Sequence, residues 1–403
     1  MLDGCVMTKK IFVYPVVACA MLIYVYLKVT SRLSNSPIII PYNNEKIPTK
    51  IQAKLAKKDI DYILHLKNVI NDANRKQSTE DDEMDWDFSF IIVIQVYRGI
   101  NNLNHLVDGL KQAKGIGTAL LLFSHSFYSK DINRVVRNIS FARVLQIYYP
   151  YSVQLHPFVF PGYDQKTCDE VMSCRKSDRK ALVIQHKHHW WWSASFVFDR
   201  VFATRNYNGT ILFLEENQYV TSDFIYIFRI LDGLLRSSNL HCDIISLGNG
   251  KSKSSSYRLI NSSILLKPWD TRETLGIAFN KDTWKTVKNL SEHFCRYNDN
   301  RWSKSLIHLS TKTSLGKFYA LSIEGSRVFR LNKCKDHKTC NETKNNEILL
   351  NFVRKIRKKL FPFKMHIVKS NSVEEVGEGN GGWTDVRDHE LCLFISNLRN
   401  VTP

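Results

Sequence analysis

No Cys-x-x-Cys pair occurs anywhere among the nine cysteines of this 403-residue chain, which sets a structural zinc site aside. Acidic residues are also scarce. Thirty-eight Asp and Glu face 57 Lys and Arg, giving a formal net charge of +19 and a pI near 9.4. Such an excess suggests nucleic acid as a partner. However, the densest cluster (Arg354, Lys355, Arg357, Lys358, Lys359) alternates with Phe352, Val353, Ile356 and Leu360 at helical spacing. That pattern is the solvated face of an amphipathic helix. Nucleic acid is therefore excluded as a partner, and basicity points to phosphate-bearing small molecules or to solubility. With 44% hydrophobic and 12% aromatic residues, the composition is that of a globular core and not of a disordered chain.

A cleavage signal is missing as well. The uncharged apolar run Ile11 to Leu27 is followed by no small-x-small site, so it is expected to be an uncleaved anchor and not a signal peptide. Its 17 residues lie at the lower limit for crossing a bilayer. Lys9 and Lys10 on one side nearly balance Lys28 and Arg32 on the other, and the brief leader favours a type II protein. The expected organisation is a leader at 1–10, a transmembrane anchor at 11–27, a stem and linker at 28–87 and a luminal domain at 88–403. Ile51, Leu55, Ile60, Ile63, Leu66 and Ile70 allow one amphipathic helix in the stem, and the polar run Asn74 to Asp85 is expected to be a linker.

Six sequons, at Asn138, Asn208, Asn261, Asn289, Asn341 and Asn400, fit a luminal domain; Pro403 after the last discounts that one. Seven cysteines lie beyond the anchor. In an oxidising compartment, seven suggest three bridges and one leftover thiol, with Cys168–Cys174 and Cys334–Cys340 as local pairs. From Phe88 onward, apolar strands (Phe88–Val96, Ala119–Phe123, Val144–Tyr148) alternate with helical patterns through Leu103, Leu106 and Leu110 and from Lys130 to Val136. The expected class is α/β, a mostly parallel sheet with helices on both faces.

The stretch around which the chemistry should gather is Ile211-Leu-Phe-Leu-Glu-Glu-Asn-Gln-Tyr219. An apolar strand ends there in two carboxylates and an amide, with a helix expected over Asp223–Leu235. Oxygen ligands at a strand tip suit a hard cation. The competing reading is an ordinary strand exit. Gln185-His-Lys-His-His-Trp-Trp-Trp192 is a histidine metal cluster, an aromatic sugar platform, or a tryptophan core entered by a polar helix start. Asn380-Gly-Gly-Trp-Thr-Asp-Val-Arg-Asp-His-Glu-Leu-Cys392 is a loop that either closes a site or caps the domain.

Gln95-Val96, Phe123-Ser-His125, Lys187-His-His-Trp-Trp-Trp192, Phe213-Leu-Glu-Glu216, Ser246-Leu-Gly248 and Asn380–Cys392 occur in an order that resembles the Golgi N-acetylglucosaminyltransferase II family. The resemblance implies a GT-A fold and an inverting, Mn²⁺-dependent transfer of GlcNAc from UDP-GlcNAc to O2 of an N-glycan mannose. It also implies a Golgi, type II location, a Cys295–Cys392 bridge and Cys242 as the odd thiol. Self-association is left open. Donor-contact positions implied by the resemblance are Gln95, Val96, Tyr97, Arg98, Gly99, Ser126, Gln185, His186, Lys187, His188, His189 and Ser254.

Several implied positions carry different chemistry here. Asn217, beside Glu216, stands at the family's metal-binding aspartate, and Arg330 at its histidine ligand. An amide brings no charge to a cation and a guanidinium cannot ligate one. Ser303 stands at the family's catalytic aspartate, and an unassisted hydroxyl is a weak base. Three classes of reading follow. One is a transferase with relocated parts, Arg330 stabilising the diphosphate and Asp299 acting as base. The others are a catalytically impaired relative that binds glycan, nucleotide or a protein partner, and a structural protein.

Overall fold

In the computed structural model, residues 57–79, 88–162, 179–237, 240–249, 257, 260–312, 316–331, 341–370 and 377–397 are described. The expected leader and anchor, Cys168, Cys174, Cys334, Cys340, Ser254 and Asn400 lie outside them. Among the described residues no helix is long and apolar enough to cross a membrane.

Among the described residues eleven strands carry the fold: β1 Phe90–Val96, β2 Ala119–His125, β3 Arg143–Tyr148, β4 Ile211–Glu215, β5 Gln218–Val220, β6 Ile244–Gly248, β7 Ser263–Pro268, β8 Leu275–Phe279, β9 Tyr319–Ile323, β10 Val328–Arg330 and β11 His366–Lys369. Nine form one sheet in the order β11-β7-β9-β6-β8-β4-β1-β2-β3, while β5 and β10 form a separate antiparallel pair. The half from β4 through β1 and β2 to β3 is parallel throughout. Further along, β8 runs antiparallel to both β4 and β6, and β7 antiparallel to β9. The α/β expectation holds, with the sheet mostly parallel and antiparallel strands interleaved on one side.

Every residue of β1 and β2 is buried, so the apolar run does not alternate, yet the two-residue period still sorts it. Ile91 and Val93 face a core with the Ala181–Asp199 and Lys281–Asn289 helices. Phe90, Ile92 and Ile94 face a second core filled by the Ile100–Gln112 and Phe224–Arg236 helices. The Phe224–Arg236 helix begins one residue after the expected start, behind Asp223.

The stem differs from expectation. A helix runs over Lys57–Ser78, so Asn74 to Ser78 continue the helix and do not open a linker. The reason is tertiary. The Asn74 side chain donates to the carbonyl of Tyr148 at 2.6 Å and accepts from its amide at 2.8 Å, completing the open edge of β3. Leu66 and Ile70 pack on Tyr148 and Leu155 beside it.

The second long helix, Ala181–Asp199, is buried almost all round. Trp190 stacks on Trp302 with centroids 4.4 Å apart, and Trp191 stacks on Phe294 at 4.2 Å. Trp191 Nε1 donates to the Cys392 carbonyl at 3.1 Å. Cys392 is disulfide-bonded to Cys295, with Cα atoms 5.6 Å apart, and Cys242 is free, as the resemblance implied. The aromatic string is core, and Asn380–Cys392 leads into the helix Val386–Ser396 that seals it.

One buried ion network fixes that seal. Asp388 accepts from Arg179 Nε and Nη2, both at 2.8 Å, and from His188 Nε2 at 3.0 Å. Burial alone would raise the Asp388 pKa, but the Arg179 and His188 contacts outweigh it and hold it at about 2 against an ordinary 3.8. A folded-state value below the unfolded one means that this stabilisation is complete above pH 4 and lost as pH falls toward 2. Asp388→Asn removes the charge that Arg179 and His188 meet at hydrogen-bond distance, leaving Asp385 at 4.0 Å from the buried Arg179, and is expected to cost about 3 kcal/mol. Urea unfolding at pH 7 measures this loss, and the gap between variant and wild type should narrow as the titration is carried down from pH 4.

Candidate functional site

The parallel half of the sheet sends β1 and β4 to a common end, with Gln95 opposite Glu215 in register. One residue on, Glu216 is buried and turned toward the loop leaving β1. Its Oε2 accepts from Tyr97 N at 2.7 Å, and its Oε1 from Gly99 N at 2.8 Å and Arg98 N at 3.2 Å. Burial raises the Glu216 pKa, and these amides and the neighbouring Glu215 modify the shift, the amides lowering it. A carboxylate held by three amides is a clamp on the loop and is turned away from a ligand role. It also explains the glycine: a Cβ on Gly99 would lie 2.8 Å from Glu216 Oε1.

Within that loop, the Tyr97 hydroxyl donates to Gln95 Oε1 at 2.8 Å, and its ring lies 4.4 Å from His186. Burial first, then the charges of Glu215 and Glu216, push the Tyr97 phenol well above its ordinary pKa, while Arg330 pulls it down. Arg98 projects outward over the Phe127 ring. Val96 and Ser126 are tied by a 2.9 Å backbone bond from Ser126 N to the Val96 carbonyl. Asn217 is half-buried; its backbone carbonyl accepts from Leu331 N at 2.7 Å, and its Oδ1 has no partner among the described residues. Across the β5–β10 pair, Arg330 lies opposite Gln218.

The polar string of the Ala181–Asp199 helix divides. His186 faces the strand tip beside Tyr97, its pKa lowered by burial and raised in part by Glu215. Gln185 accepts from Val153 N at 2.6 Å, and His189 is 2.9 Å from Ser124 Oγ. Lys187 points into the protein: its ammonium donates to the carbonyls of Asp299 at 2.9 Å and Tyr297 at 3.2 Å and lies 3.9 Å over the Trp383 ring. Burial drives its pKa well below the ordinary lysine value. Lys187 and His188 thus have protein partners, while His186 and, behind it, His189, whose ring lies 5.6 Å from Tyr97, are directed to the strand tip.

Asp299 ends the turn that Lys187 holds. Its carboxylate accepts from Arg301 N at 2.9 Å, Nε at 3.0 Å and Nη2 at 2.8 Å, and from Asn380 N at 3.3 Å. Burial opposes ionisation, but Arg301 prevails and lowers the Asp299 pKa. Ser303 is half-buried in the first turn of the Trp302–Lys312 helix. Arg301 was not a sequence candidate; its spacing of two from Asp299 was the available signal.

A comparison with family models matches residues 67–392 to N-acetylglucosaminyltransferase II (MGAT2). The chain belongs to that family. The pig α-1,6-mannosyl-glycoprotein 2-β-N-acetylglucosaminyltransferase is 33% identical over 330 residues, covering 77% of this chain and 74% of the relative. The Arabidopsis thaliana enzyme of the same name is 26% identical over 337 residues, covering 76% and 75%. Among solved structures, S. aureus TarS 1-349 overlaps at a TM-score of 0.35 and 8% identity, covering 67% of this chain and 72% of that one.

The Mn²⁺ implied by the N-acetylglucosaminyltransferase II resemblance does not fit the side chains at this strand tip. Glu216 faces three amides, Asn217 offers an oxygen without charge, and Arg330 brings a positive charge, so Glu215 is left as the single carboxylate of the tip that the loop amides do not hold. Among the described residues, no group of three His, Cys, Asp or Glu is placed to hold a metal ion.

The clamp makes a prediction. Glu216→Ala leaves the Tyr97, Arg98 and Gly99 amides without their acceptor and is expected to cost about 1–3 kcal/mol. Hydrogen exchange should show those three amides losing protection while β2 keeps its own.

Proposed function

We propose that the chain transfers GlcNAc from UDP-GlcNAc, with inversion, to O2 of the α-1,6-linked mannose of N-glycans, acting on glycoproteins. The observation that carries this is the family match across residues 67–392, which spans the sheet, the strand tip and the sealing helix. The relatives in pig and Arabidopsis carry this activity in their names. The reading includes a GT-A fold and a Golgi membrane location as a single-pass type II protein, with the described domain luminal; the sequons and the Cys295–Cys392 bridge support an oxidising compartment.

Inversion takes a single displacement. The mannose O2 attacks the sugar C1 as the C1–O bond to UDP breaks, and the hydroxyl proton passes to a base. The clamped β1 loop, with Tyr97 and His186, forms the wall of the donor pocket at the strand ends. Asp299 is the base in this reading. For it to take the proton, Arg301, whose side chain is 55% exposed, must release one carboxylate oxygen.

Incubating the detergent-solubilised chain with UDP-GlcNAc and a mannose-terminated N-glycan already extended on its other arm should give a β-linked product, identified by the anomeric coupling in NMR. Absence of product from folded protein, with this and other sugar nucleotides, would point to the impaired relative. Asp299→Asn should lower kcat by about 10²-fold or more. Because its pKa lies below 3.8, this base stays ionised down to that range. The acid limb of kcat/KM, which reports the free enzyme with Arg301 still in place, should therefore fall below pH 4, and a limb near pH 6 would assign the base elsewhere.

A further inference from the structure

Arg330 ends β10 at the strand tip, exposed, and its side chain makes no ion pair or hydrogen bond among the described residues. Directly opposed residues of an antiparallel pair share a face, so Arg330 lies on the same face as Gln218, whose buried Oε1 has no partner among the described residues. Asn217 Oδ1 and Gln95 Nε2, at the same end of β4 and β1, are also unpartnered. Buried polar atoms are rarely left so. The unpaired guanidinium and the Gln95 amide nitrogen are donors and suit an anion with several oxygens, whereas the Asn217 and Gln218 oxygens are acceptors and add nothing to such a site.

The mount beneath Arg330 is rigid. Arg327, three residues earlier, is fully buried; its Nε donates to Asp223 at 2.8 Å, its Nη1 to the Tyr257 hydroxyl at 2.7 Å and its Nη2 to the Asn261 carbonyl at 2.9 Å. On the other side, Leu331 N bonds to the Asn217 carbonyl. The strand is fixed before and after the residue that carries the free cation.

We propose that Arg330 is the group that stabilises the leaving diphosphate, and that transfer therefore proceeds without a divalent cation. The inference rests on the transferase reading above. As C1–O breaks, the electron pair moves onto the β-phosphate oxygen; the planar guanidinium can meet two oxygens of that anion at once. The C1–O2 bond forms, the acceptor proton leaves to the base, and no redox partner is required. A neutral Asn217 and a clamped Glu216 lower the negative charge a metal would need and lessen repulsion of the diphosphate, leaving Glu215 as the carboxylate that Arg330 must offset at this tip.

The test uses the full-length chain in detergent, with two readouts. In EDTA, the transfer rate should stay within 2-fold of the rate in Mn²⁺, and calorimetry should show UDP binding with the same Kd in both. Arg330→Gln should weaken UDP binding at least 10-fold and lower kcat at least 100-fold, while Arg330→Lys, which keeps charge but not the fork, should recover part of the loss. A rate or a UDP affinity that requires Mn²⁺ would overturn the proposal, as would unchanged UDP binding in Arg330→Gln. Were transfer absent altogether, the UDP titration would still decide: metal-free binding lost in Arg330→Gln sustains the anion site, and the failure then belongs to the transferase reading alone.

Discussion

The architecture around the site depends on a lysine buried without a carboxylate partner. The Lys187 ammonium sits among two backbone carbonyls and the face of Trp383. Taking an ammonium out of water is costly and lowers the Lys187 pKa, a shift that the nearby charges of Asp299 and Asp388 oppose, and the two carbonyls must stay in place for the amine to keep its partners. The carbonyls belong to Tyr297 and Asp299, and Trp383 Nε1 in turn donates to the Cys295 carbonyl at 2.7 Å. The Cys295–Cys392 bond closes the same circuit from the other side. Two segments far apart in sequence, Cys295–Asp299 and Trp383–Cys392, are thereby fixed to one helix, and the turn that presents Asp299 is in the first.

Legibility in the sequence followed the range of the interactions. The buried strands and the α/β class were readable because a continuous apolar run between polar turns is a local signal, and β1, β2 and β4 are such runs. The directions of β7 and β8 were not readable, since short apolar strands carry no mark of polarity and pairing is decided by register. The stem helix was extended past the expected end by one amide, Asn74, whose partner Tyr148 lies 74 residues on. The tryptophan string was legible as core, while the partner of His188, Asp388, is 200 residues away.

Glu216 shows the limit at the site itself. A carboxylate at a strand tip has the same composition whether it holds a cation or a loop, and the amides it accepts from are 117–119 residues earlier. The glycine at 99 was the one local hint, since only a residue without Cβ leaves room for the carboxylate to approach. The same tip left Asn217 and Gln218 with unpartnered oxygens, a feature that needs coordinates to see.

The strength of a cation at a breaking bond depends less on its formal charge than on how little it must move when charge develops. A divalent ion brings twice the charge but needs several charged ligands, and of the two carboxylates at this strand tip Glu216 is held by the loop amides. A guanidinium carries one charge, spread over a planar fork that fits two phosphate oxygens. Arg327 buried three residues before it and the Leu331–Asn217 bond just after it hold the β10 backbone from both sides. The substitution of a fixed organic cation for an inorganic one is physically coherent only where the backbone beneath it is fixed in this way, and β10 is the short strand on which both conditions meet.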